Sequence, residues 1–183
     1  MNKVHTSAVV IIPPKEKWGP IQEIRKLYDR KIDRWMPHIT LLFPFYPKNQ
    51  FAEIEKKFLL VSSEFTKFDI TLREFRYFKQ YNKNYTIWLD PTPNNMIIKL
   101  QSEFLKIAPE CNDVNKFKGG YYPHLSVGQF KGNPISLKNK IDELQNSWEE
   151  ITFEVKEFYF IVSENIKNSN FQIEKRFLLS KSP

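Results

Sequence analysis

An α+β fold built on antiparallel sheets is what this sequence predicts. Three observations carry that prediction. Segments with strand alternation mix with amphipathic helices, without the regular strand–helix–strand rhythm of a parallel sheet. The order helix, Pro-His-apolar-hydroxyl strand, helix occurs twice, with His38 and His124 86 residues apart. Sixteen Phe and eight Tyr against five Gly favour strands and aromatic packing over a glycine-rich phosphate loop.

Taken in order, Ser7 to Ile12 is an apolar, β-branched run closed by Pro13-Pro14, the pattern of a buried strand. Pro20 suits a first helical turn, where its missing N–H would have no partner anyway. From there Ile21, Ile24, Leu27 and Tyr28 recur at helical spacing, with Gln22, Glu23, Arg25 and Lys26 on the other side. His38 to Phe43 is a second strand, stopped by Pro44 and Pro47. Phe51, Ile54, Phe58 and Val61 mark a second amphipathic helix. Phe68 to Tyr77 alternates as a strand, and Tyr85 to Leu89 follows across the polar link Lys79–Asn84. Pro91 to Asn94 leads into a helix with Met96, Ile97, Leu100, Phe104 and Ile107 on one side. Asn112 to Gly120 reads as a basic, flexible loop, Tyr122 to Phe130 as a strand, and Ile135 to Trp148 as a helix on Leu137, Ile141 and Leu144. Ile151 to Ser163 and Phe171 to Ser180 are long strands that complete residues 1–183 as a single domain.

Composition bounds the function. A hydrophobic fraction of 41%, of which aromatics supply 15% of the chain, sustains a packed core. Lys and Arg number 28 against 21 acidic residues, a net charge of +7, which favours anionic partners, nucleic acid or nucleotides before acidic membranes. Cys111 is the single cysteine, so an intramolecular disulfide and a cysteine-rich zinc site are both excluded. The apolar run Ala8 to Ile12 is too short for a signal peptide or a membrane span. The expectation is an intracellular chain, cytoplasmic or nuclear, with a reduced thiol and no membrane partner.

The chemistry is concentrated in WMPHITLLF and YPHLSVGQF. Residues i and i+2 of a strand share a face. His38 and Thr40 therefore point together while Ile39, Leu41 and Phe43 point inward. His124 and Ser126 likewise share a face against Leu125 and Val127, and Gly128 would leave room beside them. Two imidazoles titrating near pH 6.5 can serve as base and acid at one pH. The neutral ring takes a proton from water or a ribose hydroxyl, and the imidazolium gives one to the leaving oxygen. The hydroxyls of Thr40 and Ser126 donate to non-bridging phosphate oxygens. Such a centre requires no metal and no cofactor, and its rate profile is expected to be bell-shaped between about pH 5 and 8. His5-Thr6-Ser7 also fits His-x-Ser, but it lacks the preceding proline and stands at a terminus expected to fray, so His5 reads as exposed or structural.

PHIT and PHLS resemble the paired His-x-Thr/Ser signatures of the 2H phosphoesterase superfamily, the 2'-5' RNA ligase-like or cyclic phosphodiesterase proteins. The resemblance spans nearly the whole chain. It implies a bilobal fold, two pseudo-symmetric lobes of antiparallel sheet plus helices around a central cleft, each lobe supplying one motif. It implies His38 and His124 as the acid/base pair and Thr40 and Ser126 as phosphate ligands. It also implies a metal-independent phosphodiesterase that cleaves 2'-5' or 2',3'-cyclic bonds in oligonucleotides or nucleotides, cyclic dinucleotides included. Which histidine is the base depends on substrate orientation.

Base recognition needs flat apolar surfaces. Candidates to bind substrate are Tyr121, Tyr122 and Phe130 around the second motif, the last only if the strand stays regular, and Trp35 by the first, with Phe45 and Tyr46 beyond it. Phe160, with Phe158 and Tyr159, would form a late wall of the cleft. Lys116, Lys118 and Lys131 are candidates to meet phosphates. The alternative class is a non-catalytic RNA- or nucleotide-binding module using the same cleft. A metallohydrolase lacks His-Glu-x-x-His, and an ATP-dependent ligase lacks both a phosphate loop and Lys-x-Asp-Gly. The expected species is a monomer.

Overall fold

A computed structural model describes residues 2–116, 119–165 and 169–181, so the expected loop at Asn112–Gly120 is described only in part and Lys118 lies outside the described residues. The elements are β1 (Ser7–Ile11), α1 (Trp18–Tyr28), β2 (Ile39–Leu42), α2 (Phe51–Glu64), β3 (Phe68–Lys79), β4 (Asn84–Thr92), α3 (Asn95–Ile107), β5 (Leu125–Lys131), α4 (Pro134–Asn146), β6 (Ile151–Val155), β7 (Glu157–Val162) and β8 (Gln172–Leu178). A short 3-10 turn at Pro109–Cys111 precedes the expected loop, and another at Asp113–Asn115 lies within it. The α4 helix starts on a capping Asn133, whose side chain accepts from the Ser136 amide at 2.9 Å, followed by Pro134 in the first turn. No helix among the described residues is long and apolar enough to cross a membrane.

The eight strands of the described residues form one curled antiparallel sheet in the order β6-β3-β4-β5-β2-β1-β7-β8. It divides into two quartets that meet between the motif strands, at Ile39 opposite Leu125. The helices pack across this seam: α1 lies on β5 and α3 lies on β2. Each helix leading to one motif thus covers the strand of the other. Where one strand was expected from Ile151 to Ser163, the chain breaks at Lys156. There it leaves the β3 edge of one quartet for the β1 and β8 strands of the other, and the Lys156 carbonyl accepts from the Leu179 amide at 2.9 Å.

The apolar residues of all four helices and the inward residues of the sheet make one core on the helix face. Phe45, Phe58, Phe104, Phe158, Phe160 and Phe177 are fully buried in it, and Phe158 stacks on Phe177 with centroids 4.8 Å apart. Each such side chain contributes about 1.5–3 kcal/mol by leaving water, which accounts for the heavy use of Phe. The opposite face of the sheet, free of helices, carries a small second cluster of Ala8, Val10, Ile161 and Phe171 with Trp35, Phe43 and Tyr159 against it.

Candidate active site

Both histidines stand one residue before their strands, on the open face with Thr40 and Ser126. The register places them relative to one another. With Ile39 opposite Leu125 in an antiparallel ladder, Thr40 lies across from His124 and His38 lies across from Ser126. The four side chains form a square of alternating imidazole and hydroxyl. Its two histidines stand on a diagonal, a relation that spans about 7–8 Å between strand neighbours.

The rings are oriented in the same way. In each, Nδ1 is 2.7 Å from the carbonyl oxygen two residues earlier, Met36 for His38 and Tyr122 for His124. A carbonyl only accepts, so Nδ1 carries the proton and Nε2 holds the lone pair of the neutral ring. Neither Nε2, nor the hydroxyl of Thr40 or Ser126, has a protein hydrogen-bond partner among the described residues. Thr40 and His124 line one cavity of about 450 Å³, with Phe43, Pro44 and Val114 as its apolar wall and Lys3, His5 and Asp113 at its end.

Each imidazole leans on aromatics. His38 stacks on Trp35 at 4.9 Å, and Trp35 stacks in turn on Phe171 at 3.7 Å. His124 meets the edge of Phe78 at 4.9 Å and lies 5.8 Å from Trp88. Burial disfavours the charged ring, so both pKa values fall. His38 is pushed down to about 4, chiefly by burial and further by the Arg25 and His124 charges, against the opposing pull of the Met36 carbonyl and Asp29. His124 is lowered by burial, partly offset by its bond to the Tyr122 carbonyl.

Arg25 was expected on the polar side of its helix and is instead almost wholly buried. Its guanidinium donates to Asp29 Oδ2, Gln22 Oε1 and the Trp35 carbonyl, each at 2.8 Å. The helix end thereby fixes the backbone of Trp35 and, through that ring, the plane of His38. Asp29 also accepts from Gln129 on β5 at 3.3 Å, which ties the same helix end to the other quartet.

Of the expected substrate contacts, the structure brings Tyr122 and Trp35 to the histidines. Tyr122 is 44% exposed and edges toward Trp88. Trp35 supports His38. Phe130 does not join them, because β5 does not stay regular: the register shifts around Val127, so Gly128 and Phe130 turn to the helix face. Gly128 accordingly leaves no room beside the histidine pair, since a Cβ there would lie 2.4 Å from the Tyr28 Cβ of α1. Tyr121 packs on the core, and its hydroxyl donates to the Thr40 carbonyl at 2.7 Å, a strut between the two motifs. Phe160, Phe158 and Phe45 are core residues with no exposed surface, because the helices cover that side of their strands. Tyr46 is buried on Glu110, and Tyr159 bonds Glu157 on the rim of β7. Lys131 is exposed, and Lys116 pairs with Asp113. His5 was placed on a fraying end, yet Val4 exchanges two backbone hydrogen bonds with Phe45, which holds the segment beside the cavity.

The sequence reading missed Phe78, Trp88, Phe171 and Arg25. Phe78, Trp88 and Tyr122, together with Arg76, line a further recess of about 390 Å³ beside His124. The buried Trp88 Nε1 has no hydrogen-bond partner among the described residues.

Comparison with known proteins bears on this arrangement. A model of the 2'-5' RNA ligase superfamily matches residues 13–167. No curated protein matches the sequence. Among solved structures, TT0787 of Thermus thermophilus superposes with a TM-score of 0.67 at 14% identity, covering 97% of this chain and 100% of that one. E. coli LigT complexed with NADP+ gives a TM-score of 0.60 at 19% identity over 97% of this chain and 99% of its own. LigT complexed with 3'-AMP gives 0.58 at 17%, over 98% and 100%. At such identities the likeness is one of fold.

Proposed function

The chain belongs to the 2'-5' RNA ligase superfamily, the 2H phosphoesterases, and from that premise we propose that it is a phosphodiesterase acting on 2'-5' or 2',3'-cyclic linkages in nucleotides or oligonucleotides. The observation that carries this reading is the matched pair of imidazoles. Both are held at Nδ1 by a carbonyl two residues back, and both have Nε2 free on one face of a continuous ladder. One neutral Nε2 takes the proton of the nucleophile, water or a ribose hydroxyl, as its oxygen bonds to phosphorus. The other ring, protonated, delivers its Nε2 proton to the oxygen that leaves as its P–O bond breaks. Thr40 and Ser126 donate to the non-bridging oxygens, whose charge is redistributed in the transition state.

Three further facts support a nucleotide substrate. The chain is basic overall. Tyr122 and Phe78 offer stacking surface next to His124, with the buried Trp88 stacked behind Phe78. LigT, which shares the fold, has been solved with 3'-AMP, ATP and NADP+.

The test is a panel of 2',3'-cyclic nucleotides, 2'-5' oligoadenylate, 3'-5' RNA and a mixed-linkage cyclic dinucleotide, incubated with EDTA and with products identified. Cleavage of the first two classes is expected, with His38→Ala and His124→Ala each losing about 10²–10⁴-fold in kcat. Binding without cleavage of any member would replace the enzyme with a nucleotide-binding module, and full activity in either variant would sink the two-histidine mechanism.

A further inference from the structure

We propose that His5 contacts a second phosphate of the substrate, flanking the one that reacts, so that the preferred substrate carries phosphate beyond the linkage it loses. This rests on the reading that the cleft takes nucleotides. It adds a site that the two motifs do not contain.

His5 lines the same cavity as Thr40 and His124, so a chain of nucleotides with one phosphate between the histidines passes it on the Thr40 side. Its position is built. Val4 donates to the Phe45 carbonyl at 2.7 Å and accepts from the Phe45 amide at 3.2 Å, which lays the segment alongside the continuation of β2. Phe43 meets the His5 ring edge to face at 5.5 Å, and the His5 carbonyl accepts from Arg34 at 3.5 Å. The ring itself is exposed, and no hydrogen bond to it occurs among the described residues.

The surroundings select the ligand. Phe43, Pro44 and Val114 give the cavity an apolar wall suited to a sugar and base. Beyond them the Asp113 carboxylate is bridged by two ammonium groups, Lys3 and Lys116. An imidazole N–H with the Lys3 ammonium lining the same cavity suits an anion, and in a nucleotide chain the anion one unit from the reacting phosphate is another phosphate.

Adenylyl-(2'-5')-adenosine, the same dinucleotide with a 5'-phosphate or with a phosphate on its far ribose, and 2',3'-cyclic AMP would be compared in the wild type, His5→Ala and His5→Gln. One of the added phosphates is expected to lower KM about ten-fold in the wild type, the scale of one charged hydrogen bond. That gain should vanish in His5→Ala and return in part in His5→Gln, with kcat within two-fold and 2',3'-cyclic AMP unaffected. If neither phosphate lowers KM, if the gain survives His5→Ala, or if every substrate loses kcat alike, the proposal is overturned. Equilibrium binding of the same dinucleotides to His38→Ala, with and without His5→Ala, separates it from the catalytic reading. A phosphate-dependent gain in affinity that His5→Ala removes upholds the second contact even when the wild type cleaves nothing. Cleavage with no such gain sinks the second contact alone, and absence of both binding and cleavage sinks both.

Discussion

At the scale of single residues, the two imidazoles matter less for being histidines than for what burial does to them. An ordinary pair would titrate around pH 6.5 and give a bell between about pH 5 and 8. Here His38 is held near 4, mostly by burial and in part by the His124 charge, and His124 is lowered by burial too. The form with one proton on the pair is then most abundant in the free protein at an acid pH. A profile of kcat/KM against pH should peak below 6.5 and fall through neutrality. A bound phosphate anion stabilises the imidazolium and raises its pKa, so kcat should peak at a higher pH than kcat/KM. Coincident optima at or above pH 7.5 would contradict this account of the site.

Elements decide which residues reach those rings. The motifs were legible because His-x-Thr and His-x-Ser lie at the starts of their strands, where alternation holds. Phe78 and Phe130 were not legible, because each lies beyond a register shift that reverses alternation. One extra residue at Arg73 in β3 carries Phe78 from the core face to the open face, and the shift around Val127 carries Phe130 the other way. Arg25 was misread for a related reason: helical periodicity marks which face is covered, and the covered face here includes the end of the helix, where a guanidinium finds three acceptors. The Gly128 contact gives a direct test of the α1–β5 fit. Ala at this position would press on the Tyr28 Cβ at 2.4 Å and on its backbone at 2.8 Å, atoms that have no flexible end to move. Gly128→Ala is expected to cost about 1–3 kcal/mol, or about 2–4 °C in Tm per kcal/mol, seen by calorimetry. Gly19→Ala, with open space around it, should leave Tm unchanged or slightly raised. Equal effects at the two positions would refute the close approach.

For the whole molecule, the sheet is both scaffold and site. The α+β class, the doubled helix–motif–helix order and most element positions could be read from periodicity. The fusion of two sheets into one could not, since strand pairing across the seam is set by long-range contacts that leave no local pattern. Burying two histidines in that seam also links folding to pH. A base whose pKa is lower folded than unfolded contributes stability that is full above the unfolded value near 6.5 and is lost as pH falls toward the folded one. Tm should therefore drop between pH 7 and pH 4.5, and His38→Gln should flatten that drop. An identical pH dependence in the variant would show that His38 is not the linked group.

The pair Ile39–Leu125 has one more consequence. A half-turn about it exchanges His38 with His124 and Thr40 with Ser126, so the proposed centre is ambidextrous. Nothing within the square distinguishes attack from departure. Handedness enters from its flanks, with the ring-lined recess of Phe78, Trp88 and Tyr122 on one side and the His5 imidazole and Lys3 of the N-terminal segment on the other. A substrate laid in one direction makes one ring the proton acceptor, and the reversed strand would trade the roles. On the proposed function, the polarity of the reaction is written in the surroundings of these four residues.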